Sequence, residues 1–207
     1  MFETFGRVTI ILLLANFAMF TLQLLWGDWF TELFSLTPSV FFQGAYWQMF
    51  TYMFMHGGIM HIFLNMFVLL IFGMRVEEAL GWKNYIVMYM LAGLGSAWLY
   101  MLLTGFGSTV VMLGASGAVF GVLATYAFMY PKDIIWIFPG IPMPAIAAIV
   151  VFTVIELFSG IFGLEPGIAN FGHLGGIIVA FIFVLVYKQY DKKRKKKGGE
   201  EFKFVWE

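Results

Sequence analysis

Six apolar segments alternate with short polar connections along the chain, and their lengths are the first guide to its structure. They cover residues 8–26, 59–76, 84–103, 112–130, 144–163 and 168–187. A helix needs about 20 mostly apolar residues to cross the roughly 30 Å hydrocarbon core of a bilayer. The pattern therefore predicts six membrane-spanning helices. The first is expected to be retained, because Trp26, Gly27 and Asp28 follow it where a signal peptide has small residues at a cleavage site.

Composition supports a membrane protein and removes several kinds of chemistry. Hydrophobic residues make up 61% of the 207 residues and charged residues only 12%, whereas soluble domains carry about 25% charged residues. The absence of cysteine excludes disulfides and thiolate chemistry, and three dispersed histidines do not form a metal motif. The expected surroundings are the lipid bilayer, and neither a metal nor a nucleic acid is expected as a partner.

The basic residues predict the orientation of the chain in the membrane. With a cytosolic amino terminus and six alternating helices, all twelve basic residues fall on the inside: Arg7, Arg75, Lys83, Lys132 and the cluster from Lys188 to Lys203. Outer loops keep only acids such as Asp28, Glu32 and Glu165. This asymmetry follows the positive-inside rule. It predicts that both termini lie in the cytosol. The expected location of this multi-pass protein is the cell (plasma or inner) membrane.

Two connections and the tail complete the expected organisation. Residues 27–58 form the longest connection and are crowded with Trp, Tyr and Phe, which favour the membrane interface. This loop is expected on or partly in the outer leaflet, with an aromatic anchor favoured over a catalytic role. Four prolines, Pro131, Pro139, Pro142 and Pro144, mark the turn between helices four and five. One membrane domain over residues 1–190 is expected, followed by a charged cytosolic tail over 191–207.

Polar residues stand where lipid-facing side chains would be apolar. In this topology helices two, four and six begin at the outer side, and their first turns carry His61 and Asn65, Ser116, and Asn170 and His173 respectively. Polar groups inside a bilayer usually face the protein interior or a water-filled cavity. Each histidine alone also fits a simpler role as a hydrogen-bond partner between helices. The convergence of three helices at one depth favours a functional site.

Small residues repeat at four-residue steps on helices four and six. They are Gly117 and Gly121 on helix four, and Gly172, Gly176 and Ala180 on helix six. Such seams let helix backbones approach closely in lipid. If the two helices meet along these seams, Ser116 and His173 come within hydrogen-bond distance, about 2.6 to 3.2 Å.

The resulting pair has the chemistry of a serine hydrolase. A neutral imidazole at His173 can accept the proton of Ser116 as the hydroxyl attacks a carbonyl. His61, Asn65 and backbone N–H groups near Ser116 are suitable donors for the oxyanion that forms. No acid is near His173 in sequence, and the only carboxylate well inside a span is Glu156. Whether an acid joins Ser116 and His173 as a third catalytic residue is left open, and a dyad is predicted.

These residues resemble the rhomboid family of intramembrane serine proteases. The resemblance lies in Gly114-Ala115-Ser116-Gly117, in HGGIMHIFLN with His61 and Asn65, and in GHLGG with His173. It implies an all-α, six-helix membrane bundle with a large membrane-associated loop between helices 1 and 2. It also implies Ser116 as nucleophile, His173 as base, and an oxyanion site of His61, Asn65 and the Ser116 amide.

The same resemblance implies a cofactor-free endopeptidase that cleaves transmembrane segments of other membrane proteins, near small and helix-weakening residues. An acid matching Glu77 is structural in the family. This chain differs in carrying Gln48 after Trp47, where many members have arginine, and in having Ala180 in place of the second glycine of helix six.

Two other functions stay open at this point. In a transporter or channel, the same polar residues would line a proton or solute path, although midplane helix breaks and internal repeats that favour this function are not evident. A catalytically inactive relative that binds membrane clients is the other, and the intact Ser116 and His173 pair argues against it.

Overall fold

The fold is known from a computed structural model, which describes residues 6–137, 140–163 and 170–196. Nine α-helices lie in these ranges: α1 Arg7–Trp26, α2 Asp28–Phe34, α3 Pro38–Phe42, α4 Gln48–Thr51, α5 Ile59–Leu80, α6 Trp82–Thr104, α7 Ser116–Met129, α8 Ala145–Phe162 and α9 Asn170–Lys196. A 3-10 turn covers Tyr52–Phe54, and strands β1 Ile134–Ile137 and β2 Ile141–Pro144 form an antiparallel hairpin. Glu165 and most of the predicted tail, residues 197–207, lie outside the described residues.

Five of the helices have the length and hydropathy to cross a membrane. They are Arg7–Trp26, Ile59–Leu80, Trp82–Thr104, Ala145–Phe162 and, within α9, Asn170–Lys192. Their outward faces carry large apolar side chains such as Leu25 and Ile59, while Thr9, Asn16 and Glu77 are buried inside. Apolar groups outside and polar groups paired within suit a lipid environment. A helical membrane bundle was expected from the sequence and is confirmed.

The fourth predicted span, residues 112–130, is helical only over the 14 residues of α7. Residues 112–114 lie outside the helix, because Met112 exchanges two backbone hydrogen bonds with Leu36 and the Gly114 N–H donates to the Tyr52 carbonyl. Gly114 has a φ of 123°, which favours glycine. The predicted beginning of this helix was therefore wrong by four residues, and the correction makes Ser116 the first helical residue.

The connection between α7 and α8 is a second correction. Its prolines predicted a turn, but Ile134–Ile137 and Ile141–Pro144 form the β1–β2 hairpin, in which Ile134 pairs with Pro144 and Ile137 with Ile141. β-branched isoleucines favour strands, and proline is tolerated in edge strands. Pro139 lies outside the described residues. The fold is therefore mostly helical, with one small hairpin.

Helix α9 packs between α6 and α7 at close range. A Cβ added to Gly176 would collide with the Gly117 carbonyl oxygen of α7, and one added to Gly175 would lie 2.6 Å from the Gly95 carbonyl oxygen of α6. Only glycine permits such approaches. The predicted glycine seam between the fourth and sixth spans is thus confirmed, and α6 provides a second seam that the sequence pattern did not indicate.

The long connection after α1 is an ordered arrangement of short helices. Gln48 is almost fully buried, accepts a hydrogen bond from the Thr37 N–H and donates to the carbonyls of Glu32 and Leu33. The Trp47 indole also donates to the Leu33 carbonyl, at 2.9 Å. Gln48, where the family often has arginine, therefore ties this loop together through neutral hydrogen bonds.

Glu77 fixes the beginning of α1 to the end of α5. Its carboxylate accepts hydrogen bonds from the backbone N–H groups of Val8 and Thr9 and from the Thr9 hydroxyl, at 2.8 to 3.0 Å. The first N–H groups of a helix have no partner within the helix and attract negative charge. The structural role that the resemblance implies for Glu77 fits these contacts.

Replacing Glu77 with Ala is expected to lower the free energy of unfolding by about 2 to 3 kcal/mol, because three hydrogen bonds to a buried carboxylate are lost. Unfolding in mixed detergent micelles, followed by circular dichroism, measures this change. Glu78→Ala is the matched control, since Glu78 is exposed and lies 3.9 Å from Arg75 in a surface pair that contributes little. Equal losses in the two variants would contradict the assigned role.

Candidate active site

Ser116 and His173 lie in direct contact. Ser116 is the first residue of α7 and His173 lies in the first turn of α9. The His173 Nε2 and Ser116 Oγ atoms are 2.8 Å apart. The close glycine contacts between these two helices bring both side chains to the same level. The structure therefore brings together the two residues on which the sequence analysis depends.

The imidazole of His173 is held on two further sides. The ring of Phe120, one turn after Ser116, stacks on it with centroids 4.5 Å apart and planes at 16°. The Nδ1 atom, on the other side of the ring from Ser116, lies 2.9 Å from Glu156 Oε2 on α8. His173 itself is buried. Its ring is thus fixed by stacking and by a carboxylate as well as by the serine.

His61 lies beside Ser116 in a defined tautomer. The Gly57 N–H donates a hydrogen bond to His61 Nδ1, at 3.2 Å, so in the neutral ring the proton resides on Nε2. Gly114 lies next to both side chains, since a Cβ added there would be 3.0 Å from His61 Nε2 and 3.5 Å from Ser116 Oγ. The His61 Nε2–H therefore lies near the serine hydroxyl and can donate a hydrogen bond there.

Asn65 follows His61 by one helical turn and is buried. Its side-chain amide donates to the His61 backbone carbonyl at 2.9 Å. An amide nitrogen carries two donors, so one such bond leaves the other N–H for a further acceptor. His61 and Asn65 share one face of α5, as their spacing predicted.

A cavity of about 620 Å³ joins these groups. Its polar lining includes the side chains of Ser116, His173, His61 and Asn65, and its walls are otherwise apolar: Leu64, Val68, Val111, Met112, Leu113, Val119, Phe120, Leu123 and Phe152. Few convergent polar groups in an apolar cleft are typical of a ligand site. The four side chains that the sequence analysis assigned to catalysis and oxyanion binding all line this cavity, whereas Asn170 does not.

His56 was not singled out from the sequence. It is buried just before α5, its ring lies edge-on to His61 with centroids 5.2 Å apart, and neither of its ring nitrogens has a hydrogen-bond partner among the described residues. Burial lowers the pKa of His56 to about 4. His56 is therefore neutral near pH 7 and packs against the ring of His61. The sequence could have indicated His56, because it lies in the same HGGIMHIFLN segment as His61, on the other side of the two glycines.

The contact of Glu156 with His173 is the feature that sequence analysis did not resolve. The two residues are 17 positions apart on different helices, and residues 164–169 between them lie outside the described residues. The only indication of this contact in the sequence was the presence of an acid, Glu156, inside an apolar span.

Comparison with known proteins supports one family. Residues 43–190 match the Rhomboid domain. The chain is 31% identical over 146 residues to RHOMBOID-like protein 4 of Arabidopsis thaliana, 33% over 148 residues to Rhomboid-type serine protease 2 of Emericella nidulans, and 30% over 145 residues to Rhomboid-like protease 3 of Toxoplasma gondii. These matches cover 70%, 71% and 69% of this chain and 35%, 28% and 52% of the relatives. The chain thus spans about half or less of each relative's length.

Proposed function

The chain belongs to the rhomboid family, and from this premise we propose that it is an intramembrane serine endopeptidase that uses Ser116 as nucleophile and His173 as general base. The observation that carries the proposal is the 2.8 Å contact between Ser116 Oγ and His173 Nε2, at the edge of a cavity with polar donors. The protein is a multi-pass membrane protein with five helices of spanning length. Hydrolysis by this pair would therefore take place within or close to the bilayer.

The proposed reaction has the two steps of acyl transfer. Ser116 Oγ attacks the carbonyl carbon of the scissile peptide bond while its proton moves to His173 Nε2. His173 then gives this proton to the leaving amine, and the peptide C–N bond breaks. A water molecule, deprotonated by the same nitrogen, hydrolyses the ester on Ser116 and restores the enzyme. The atoms of these two steps balance without any cofactor.

His61 and Asn65 are proposed to hold the oxyanion together with the Ser116 backbone N–H. The His61 Nε2 atom carries the proton because Nδ1 accepts from Gly57, and Asn65 keeps one amide N–H beyond the bond to the His61 carbonyl. Ser116 begins α7, so its N–H belongs to the unpaired donors of a helix amino terminus. Donors fixed in place before the reaction stabilise the developing charge strongly.

The arrangement of the helices supports a site reached from the outer face. The beginnings of α5, α7 and α9 carry the site, and the opposite end of the bundle carries Arg75 and Lys83. We propose that this basic end is cytosolic, following the positive-inside rule, and that α7, which rises about 21 Å, completes six spans together with the residues before it. Both termini would then be cytosolic, in the plasma or inner membrane.

The proposed substrates are transmembrane segments of other membrane proteins. A spanning helix satisfies its own backbone groups, so the scissile bond must unwind before Ser116 can reach its carbonyl. The cavity beside Ser116 is bounded by Val119, Phe120 and Met112. Cleavage next to small side chains is proposed from the family resemblance. The aromatic loop of residues 27–58 is proposed to rest on the outer leaflet as an anchor. Residues 1–190 are proposed as one membrane domain, with 191–207 as a cytosolic tail.

A fluorophosphonate probe tests the nucleophile directly. Purified protein in detergent is expected to form a covalent adduct at Ser116, because His173 removes the hydroxyl proton as the phosphorus is attacked. Mass spectrometry of the peptide that contains Ser116 locates the adduct. Ser116→Ala is expected to lose labelling entirely. Ser159→Ala, which removes a buried hydroxyl elsewhere on α8, is expected to retain it.

Folding is checked in the same samples by size-exclusion chromatography and circular dichroism. A folded wild-type protein that takes up no probe, or takes it up at another serine, would overturn the proposal. That outcome would favour transport or client binding.

A further inference from the structure

Glu156 is a buried carboxylate in a mostly apolar helix. Helix α8 has the sequence AIAAIVVFTVIELFSGIF, and Glu156 is its only charged residue. The residue is 9% exposed. A charged group at this position is costly unless it is paired and hydrogen-bonded. Its partners therefore indicate what it does.

Both partners of Glu156 lie on the first turn of α9. The Asn170 side-chain amide donates to Glu156 Oε2 at 2.8 Å, and His173 Nδ1 lies 2.9 Å from the same oxygen. Asn170 and His173 are three residues apart, so they share one face of the helix. One oxygen of the Glu156 carboxylate therefore contacts both the His173 ring, which contacts Ser116, and the Asn170 side chain.

The tautomer of His173 gives this contact a chemical meaning. To accept the Ser116 proton, Nε2 must be unprotonated, so the proton of the neutral ring must reside on Nδ1. A carboxylate accepts hydrogen bonds only, so it favours the ring with hydrogen on the nitrogen that faces it. After proton transfer the same negative charge lies beside the imidazolium. This is the role of the orienting acid in a serine protease triad.

We propose that Glu156 is a positioning residue that fixes the tautomer and orientation of His173, so that the site works as a Ser116–His173–Glu156 triad. The inference rests on the proposed function and deepens it. A dyad was predicted from the sequence because no acid stands near His173 along the chain. The acid comes instead from the neighbouring helix, which packs against α9.

The geometry also sets the size of the expected effect. The Glu156 oxygen is at hydrogen-bond distance from Nδ1 but does not lie in line with the ring N–H direction. Catalytic hydrogen bonds in enzymes without substrate are often poorly aligned and tighten when substrate binds. Loss of an in-line triad carboxylate costs about 10⁴-fold in kcat. A smaller effect of about 30-fold is expected for Glu156.

Glu156→Gln is the decisive variant, because it keeps the shape and removes the charge. With a model transmembrane substrate, kcat is expected to fall about 30-fold at pH 7 while KM changes less than about twofold, since Glu156 lies behind His173 and away from the cavity lining. Glu156→Asp, which keeps the charge, is expected to recover part of the rate. Ser159→Ala, a buried change one turn further along α8, is the matched control and is expected to leave kcat unchanged.

The pH profile separates positioning from a merely structural role. Among the described residues, the titratable groups that face His173 are Glu156 from α8 and His61 from α5. A carboxylate favours the imidazolium, so its removal is expected to move the acidic limb of the kcat/KM profile to lower pH. The aspartate variant is expected to keep the limb at its wild-type position. Loss of packing alone would reduce the folded fraction and leave the limb in place.

Histidine NMR on the wild-type protein provides a test that needs no variant of Glu156. With three histidines in the chain, nitrogen-labelled His173 is assigned by the loss of its signals in His173→Gln. The proton is expected on Nδ1 of His173, and a ring protonated on Nε2 would overturn the inference. The same spectrum is expected to show His61 protonated on Nε2.

The outcomes distinguish the two proposals. If the wild type cleaves and Glu156→Gln cleaves equally fast with an unmoved pH limb, the triad is overturned and the protease proposal stands. If Ser116 of the folded wild type takes up no fluorophosphonate, the protease proposal fails, and the triad fails with it. A slowed Glu156→Gln variant with a shifted limb and rescue by aspartate supports both.

Discussion

Replacing His173 with Ala is expected to lower kcat for a model transmembrane substrate by at least about 10⁴-fold. The 2.8 Å contact with Ser116 Oγ is the only route by which the structure offers the serine a base, among the described residues. In serine proteases the loss of either the serine or the histidine costs nearly as much as the loss of the whole triad. Gel-based cleavage assays over several hours, with purified protein in detergent, measure a fall of this size.

Two further variants make the His173 result interpretable. His173→Gln retains a polar side chain inside the bundle but supplies no base, so it is expected to be equally inactive even if the alanine variant folds poorly. Ile182→Ala, on the exposed face of α9, is expected to retain full activity and folding. Turnover by folded His173→Ala within tenfold of the wild-type rate would refute the assigned base.

The polar residues of the site could be predicted from the sequence because lipid makes them conspicuous. His61, Asn65 and His173 stand in segments whose other residues are mostly apolar, and each needs an interior partner. The four-residue glycine steps then indicated which two helices meet. A soluble protein of this length would contain many more polar residues and would not single out these positions.

The beginning of α7 was missed because hydropathy does not record backbone pairing. Residues 112–115 are as apolar as the helix that follows, but Met112 and Gly114 are hydrogen-bonded to Leu36 and Tyr52 and lie outside that helix. Those partners lie more than 60 positions earlier in the chain. The hairpin was missed for a related reason, since Ile134 and Ile137 are ordinary apolar residues until Pro144 and Ile141 are paired with them.

Glu156 shows where single-sequence inference stops. Its position inside α8 was evident, and so was its chemical type, but the face of α8 that meets α9 is not encoded in any spacing near His173. Only the packing of the two helices brings Oε2 within 2.9 Å of Nδ1. The contact between Gly95 and Gly175, which gives α9 its second close neighbour, is likewise evident only from the packing of the helices.

The glycine seam leads to the second prediction of large effect. Gly176→Ala is expected to lower kcat about 100-fold and the free energy of unfolding by about 1 to 3 kcal/mol. The added Cβ would collide with the Gly117 carbonyl oxygen and approach its carbon to 2.9 Å. These are backbone atoms and cannot rotate away, so α7 and α9 must separate by on the order of 1 Å to restore van der Waals contact. Gly117 adjoins Ser116, and His173 lies less than one turn from Gly176, so the same displacement lengthens the catalytic contact.

A matched glycine shows whether the effect belongs to the seam. Gly107 has no atom within 4 Å of an added Cβ, so Gly107→Ala is expected to leave both kcat and the unfolding midpoint near wild type. Because Gly176→Ala leaves Ser116, His173 and Glu156 chemically intact, its slow labelling by fluorophosphonate would report distance alone. Labelling of Gly176→Ala at the wild-type rate, with an unchanged unfolding midpoint, would mean that α7 and α9 tolerate a methyl group between them and that the seam does not hold Ser116 against His173.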